Sequence, residues 1–266
     1  MKCKFYKLQA LGNDYVYFEN FSEEIPIEKI IKKTPQISER RFGVGSDGLI
    51  LVLRSDKADA KMRIFNLDGS EAEMCGNGLR SSIRLINILS LVDKKKLQVE
   101  TLAGMMEGEV LENNQVRVKL AFPPRISESS EKVQTKEREF DFWRVDVGNP
   151  HAVIEVDQVA DFPVQKYGQP IENDLNLFPQ RTNVEFIEHL RDGEINMRVW
   201  ERGSGETLAC GTGAAASAAV HRKLKGGSVD QVLVHLKGGD LNFAWQRGEF
   251  FMEGPAELAF VGEIDL

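Results

Sequence analysis

At 266 residues, with 42% hydrophobic and 28% charged side chains, the chain is long enough for two domains with real cores and is neither disordered nor a small disulfide-stapled module. Its 34 Lys and Arg against 41 Asp and Glu leave a net charge of −7, opposite in sign to a phosphate-binding footprint, so nucleic acid is excluded as the expected partner. No run approaches the roughly 18 apolar residues of a membrane span, residues 1–14 carry no apolar signal core, and three cysteines suit a reducing compartment, so a cytoplasmic protein without a membrane partner is expected.

In chain order, Leu11-Gly12-Asn13-Asp14 introduces the alternating run Tyr15-Val16-Tyr17-Phe18. Gly43-Val-Gly-Ser-Asp-Gly48 has the letters of a dinucleotide-binding loop, but that fingerprint needs a strand before it and a helix after it. Here a helix-like stretch, 36–42, precedes and a strand-like one, 49–53, follows, so the segment reads as a tight loop entering a strand. Period-two alternation predicts strands at 62–66, 115–120, 140–147, 183–187 and 231–236, with Gly238-Gly239-Asp240 as a hairpin turn. Two helices stand out, 79–91 and 213–224, each directly after a Cys-Gly-X-Gly. The second is rich in alanine and uncharged over 214–219, so strands can approach it on every side, as a central helix wrapped by a sheet requires. The polar, aperiodic stretch from Pro123-Pro124 to Glu131 reads as the crossover between halves.

The two halves repeat one another. At a shift of 135, residues 62–78 lie over 197–213, and Met, Arg, Glu, Cys, Gly and Gly coincide; at a shift of 136, Gly12-Asn13 lies over Gly148-Asn149. Two similar domains follow: 1–121, with the last strand near 256–266 expected to return to it, and 122–255.

Cys75 and Cys210 sit where the free N–H groups and positive dipole end of a helix collect, an environment that lowers a thiol pKa toward neutrality. The adjacent glycines let backbone N–H groups reach a carboxylate. On a pseudo-twofold arrangement the two thiols would face one tetrahedral carbon from opposite domains. A thiolate on one side removes a proton and a thiol on the other returns one, inverting the centre without cofactor or metal. A single free Cys is most often a small buried hydrophobe, and Cys3 is read that way. Two at matched positions of a repeat point instead to chemistry. A zinc site lacks a Cys-X-X-Cys or nearby His, and a redox pair lacks its motif.

Five motifs occur in order: Leu11-Gly-Asn-Asp14, Arg63-Ile-Phe-Asn-Leu-Asp-Gly-Ser-Glu71, Glu73-Met-Cys75-Gly-Asn-Gly78, Gly148-Asn-Pro-His151, and Glu201 through Cys210-Gly-Thr-Gly213. Over essentially its whole length the chain resembles the diaminopimelate epimerases, cofactor-independent isomerases of lysine and peptidoglycan precursor biosynthesis. The resemblance implies an α/β fold of two pseudo-symmetric domains, each a curved, mostly antiparallel or mixed sheet around a central helix. It implies Cys75 and Cys210 as the acid/base pair, with N–H groups of Gly76, Asn77, Gly211 and Thr212 on the substrate carboxylate. It implies Asn13, Asn66, Asn149 and Asn183 as substrate contacts, Glu201 and Arg202 as readers of the distal amino-acid end, and His151 as an auxiliary near the reacting end. It also implies a homodimer.

Taken singly, Asn66 could be a turn residue and Asn183 a strand interruption, but asparagine is disfavoured in strands and a series of them argues for a site. Some members carry Gln where this chain has Gly48, so that position is not assigned as a ligand. The related proline racemases typically have His where Asn77 stands, and phenazine-pathway relatives lack the cysteine pair. A proline-type racemase and a non-catalytic amino-acid-binding protein are the alternatives.

Overall fold

The computed structural model describes residues 2–121 and 123–266. Phe122, where the second domain is expected to begin, lies outside the described residues. In chain order the elements are β1 (Lys2–Ala10), β2 (Asn13–Asn20), α1 (Ile27–Ser38), β3 (Gly48–Leu53), β4 (Ala60–Asn66), β5 (Glu71–Ala72), α2 (Gly76–Ile88), β6 (Lys96–Thr101), β7 (Gly104–Val110) and β8 (Gln115–Lys119). There follow β9 (Arg125–Ile126), β10 (Glu131–Gln134), β11 (Glu139–Asp146), β12 (Pro150–Glu155), α3 (Val164–Glu172), β13 (Asn183–Arg191), β14 (Glu194–Glu201) and β15 (Gly205–Glu206). The chain ends with α4 (Gly211–Leu224), β16 (Gln231–Leu236), β17 (Gly239–Gln246), β18 (Glu249–Pro255) and β19 (Glu257–Asp265).

The chain forms two compact units, the first running to Lys119 and taking back Glu253–Leu266, the second spanning Leu120–Met252. In the first, β1 pairs antiparallel with β2 and with the returning β19. β2 and β3 are parallel, β3 and β4 antiparallel, β4 and β6 parallel, and β6, β7 and β8 antiparallel. The second unit repeats this order: β12 with β13 parallel, β13 with β14 antiparallel, β14 with β16 parallel, β16 with β17 antiparallel. In each unit this mixed sheet wraps one central helix, α2 against β1, β2, β3, β4, β7 and β8, and α4 against β11, β12, β13, β14, β16 and β17.

The repeat is visible at the level of side chains. Matched Arg63 and Arg198 each bridge a matched glutamate, Glu71 and Glu206, both at 2.8 Å from Nε.

Because helices cover both faces of the inner strands, those strands are apolar on both. β3 is buried along its whole length. Leu49, Leu51 and Leu53 join Val16 and Phe18 against Ile30 and Ile37 of α1, while Ile50 turns toward Gly78 of α2. In the second unit Ala152, Ile154, Val184 and Phe186 pack with Val164 and Ile171 of α3, and α4 is buried from Gly213 to His221. Cys3 is a core residue beside Phe5 and Phe18.

The sequence predicts two helices, and the described residues form four. Helices α1 and α3 each contain a proline, Pro35 and Pro170, and neither has a side-chain cap, so the signals that mark a helix are broken in both. The helix-like stretch 36–42 is the end of α1 followed by a turn, where the Glu39 carboxylate accepts the N–H groups of Arg41 and Phe42.

A histidine chain ties β12, β13 and α4 together. Gly193 N–H donates to His221 Nε2 at 3.0 Å, which leaves the ring proton on Nδ1 for His189 Nδ1 at 2.7 Å. His189 then donates its Nε2–H to Glu155 at 2.9 Å. Burial, then the neighbouring His189 and Lys225, outweigh Asp192 and Glu155 and hold His221 down at about 4. An unfolded histidine titrates near roughly 6.5, so between there and about 4 the unfolded chain binds a proton that the folded one does not. This contribution to stability is present above pH ~6.5 and is lost as the pH falls toward 4. Thermal melts from pH 7 to pH 4.5 should therefore show a smaller loss of Tm in His221→Gln than in the wild type; parallel curves would contradict the assignment.

Candidate active site

Each cysteine box begins a central helix for a local reason. Cys75 is extended (φ −141°) and its Sγ accepts the Gly78 N–H at 3.5 Å; Cys210 is extended (φ −120°) and accepts the Gly213 N–H at 3.3 Å. Both sulfurs thus act as N-caps, a place usually held by a side-chain oxygen. Gly76 and Asn77, and Gly211 and Thr212, are the opening residues of α2 and α4, whose first-turn N–H groups have no helical acceptor.

The surroundings of the two sulfurs differ in charge. Around Cys75, Asn13 donates Nδ2–H to Asp47 at 2.8 Å, which turns its Oδ1 toward the sulfur at 3.6 Å as an acceptor for the thiol proton. Arg80, fully buried one turn into α2, donates to Asn77 Oδ1 at 2.8 Å and places a positive charge near the sulfur. Its own pKa is drawn down by burial to about 10. At the matched position of α4 stands Ala215.

Cys210 instead lies among carboxylates. Thr212 Oγ1 is 3.4 Å from its sulfur, and Glu201, held by the Thr207 hydroxyl, adds a carboxylate nearby. Glu185 and His151 are both wholly buried, with His151 Nδ1 at 2.7 Å from Glu185 Oε1. Asn149 Oδ1 is 3.1 Å from His151 Nε2. The Glu185 carboxylate packs against the start of α4 so closely that a Cβ on Gly213 would lie 2.6 Å from its Oε1, so only glycine fits there.

The expectation that helix N-termini lower both thiol pKa values is corrected by this geometry. Burial outweighs the N–H groups, and both thiols are pushed up. For Cys75 the rise is opposed by Gly78 N–H, Tyr15, Asn77 N–H and Arg80. For Cys210 burial is reinforced by Glu201 and Glu185, and the thiol is held well above its ordinary value. Burial also raises Glu201.

In the first unit Asn13, Asn66, Asn77 and Cys75 come to one end of the sheet: Asn66 pairs with Gly48 and Gly48 with Tyr15, and the Asn66 amide is exposed, bonded to Ser70 Oγ at 3.0 Å. In the second unit Asn149, His151, Asn183, Glu201 and Cys210 are gathered likewise. Asn183 is committed at both ends of its amide, donating to Pro150 O and accepting Arg202 N–H, each at 3.0 Å, so it positions the backbone that carries Arg202. The Arg202 side chain is exposed and donates to Gln180 O at 3.0 Å. Sequence reasoning passed over Tyr15, Arg80 and Glu185. The last two had a signal, a charge inside an otherwise apolar helix face and strand.

Comparison with known proteins agrees over the whole chain. A family model described as diaminopimelate epimerase matches residues 5–123 and 143–259. A diaminopimelate epimerase of Methanococcus maripaludis strain C6 is 43% identical over 280 residues, covering 99% of this chain and 100% of its own length. That of Carboxydothermus hydrogenoformans is 45% identical over 275 residues, with the same coverage. Among solved structures, a PhzF-family phenazine biosynthesis protein of Bacillus anthracis superposes with a TM-score of 0.78 at 17% identity, covering all of both chains. A hydroxyproline epimerase from Agrobacterium vitis gives 0.70 at 15% identity, covering 99% of this chain and 92% of its own. At these identities the structural matches speak to the fold alone.

Proposed function

The chain belongs to the diaminopimelate epimerase family, and from that membership we propose that it inverts one α-carbon of LL-2,6-diaminopimelate to give the meso isomer. The observation that carries this reading is the matched pair of thiols, each capping the central helix of its own unit beside first-turn N–H groups that have no helical acceptor.

One cysteine, as thiolate, takes the α-proton; the other, as thiol, delivers its proton to the opposite face of the carbanion. The first ends as thiol and the second as thiolate, so the pair is poised for the reverse reaction and resets by exchange with water. First-turn N–H groups of Gly76, Asn77, Gly211 and Thr212 hold the carboxylate and the negative charge that spreads into it. Both thiols are raised by burial, so the thiolate is a stronger base than in water. Glu201 and Arg202 supply an anion and a cation for the distal ammonium and carboxylate. His151, fixed by Glu185 at Nδ1 and facing Asn149 Oδ1 at Nε2, serves the reacting end. Asn13 and Asn66 contact substrate from the first unit.

No helix among the described residues is long and apolar enough to cross a membrane, and the three cysteines are free. We place the enzyme in the cytoplasm as a homodimer, supported by its cysteine usage and by exposed Phe260 and Val261 on β19.

Proton NMR of LL-diaminopimelate in heavy water, with reductant and after dialysis against EDTA, tests the reading, with L-proline run in parallel. Loss of the Cα–H signal with growth of the meso isomer is expected. Exchange with proline alone would move the specificity to a proline-type racemase, and no exchange with either would leave a binding protein.

A further inference from the structure

The Gly-Asn repeat that lays Gly12-Asn13 over Gly148-Asn149 also lays Tyr15 over His151. The folds agree: Tyr15 lies opposite Gly48 in the parallel β2–β3 pair, and His151 opposite Asn183 in the parallel β12–β13 pair. Val16 and Phe18 pack against α1, so Tyr15 and Tyr17 occupy the other face of β2. There Asn13 Oδ1 lies 3.6 Å from the Cys75 sulfur and the Tyr17 hydroxyl donates to Gly78 O at 3.4 Å, so Tyr15, between them on this face, lies over the start of α2 beside Cys75. The ring is held edge-on to Tyr17 with centroids 6.4 Å apart. It also lies over Gly48, where a Cβ would come within 3.1 Å of ring Cε1 and 2.2 Å of Phe65 O.

Counting donors around the sulfur shows what the hydroxyl is for. Asn13 presents Oδ1, which suits an S–H and opposes a thiolate. The backbone N–H of Gly78 donates to the sulfur, and a buried thiolate needs further donors to offset its lost hydration. The charged groups nearby are Arg80 of α2 and Asp14 of β2, the latter paired with Lys7 and Arg40.

We infer that Tyr15 is a catalytic residue of the first thiol, its O–H donating to the Cys75 sulfur whenever that sulfur is a thiolate, in the place that His151 holds near the second. This rests on the reading of Cys75 as an acid/base group. The hydroxyl keeps its proton throughout, because burial and the neighbouring Cys75 and Tyr17 push its pKa up, so it stabilises charge and transfers nothing. When Cys75 is a thiol, its S–H turns to Asn13 Oδ1 and the phenol loses its charged acceptor.

Carbamidomethylation of the reduced full chain by iodoacetamide, read peptide by peptide by mass spectrometry from pH 6 to 11, tests this. In Tyr15→Phe, which removes one oxygen, the Cys75 midpoint should rise by about one pH unit, a roughly tenfold loss of thiolate below it, with Cys210 as an unmoved internal reference. Placing 3-fluorotyrosine at position 15, an isosteric and stronger donor, should shift the Cys75 midpoint down, and this arm stands if the Phe variant does not fold. Unchanged Cys75 curves in either variant, or equal shifts at both cysteines, would overturn the inference. Protein alkylated at Cys75 alone that still epimerises would remove the acid/base reading instead, while the two curves still decide the contact.

Discussion

Cys75→Ala and Cys210→Ala should each lose epimerisation by about 10³-fold, the scale of a positioned general acid or base, while keeping the fold. In either variant one face of the α-carbon has no proton donor, so the remaining thiol can exchange the proton on its own side without inverting the centre. Deuterium entering a single isomer without growth of the other is therefore the diagnostic result, read by the same NMR assay. The structural loss is small: each sulfur caps a helix through one N–H, worth about 1 kcal/mol, or a fall in Tm of roughly 3 °C. A variant of either cysteine with normal turnover would end the two-thiol mechanism.

The second large effect is expected at Glu185→Ala. Its carboxylate and His151 are wholly buried and joined at 2.7 Å, and its Oε2 has no partner among the described residues. Breaking a buried pair from one side leaves the other group desolvated and uncompensated, at a cost of about 3 to 5 kcal/mol and a fall in Tm on the order of 10 °C. Glu185→Gln keeps the shape and an acceptor for Nδ1–H and should recover most of the stability. Activity should fall in both variants, since His151 is positioned through this contact. A Glu185→Ala protein melting within 2 °C or so of wild type would show that the pair contributes nothing to stability.

Much of the architecture is legible in the chain because it is carried by local rules. Period-two alternation marked β4, β8, β11 and β16, and the Cys-Gly-X-Gly boxes marked the starts of α2 and α4. Helices α1 and α3 were not legible, because Pro35 and Pro170 interrupt the patterns that announce a helix, and packing against a finished sheet is what sustains them. The cysteine boxes could be read as sites because duplication made each a check on the other. Arg80 and Glu185 carried a signal only as charges within an apolar helix face and strand, and Tyr15 carried none, since it looks like an ordinary strand residue until the sheet has curved around the central helix.

The sequence by itself determined the family, the duplicated design, and the two thiols at two helix starts, since motif order and spacing survive without coordinates. Tertiary structure decided the electrostatics. Helix dipoles alone would have made both thiols acidic, yet desolvation dominates, opposed by Tyr15 and Arg80 beside Cys75 and reinforced by Glu201 and Glu185 beside Cys210. Charge interactions depend on separation through a low-dielectric interior, and that separation is set only when β2 closes on α2 and β13 on α4.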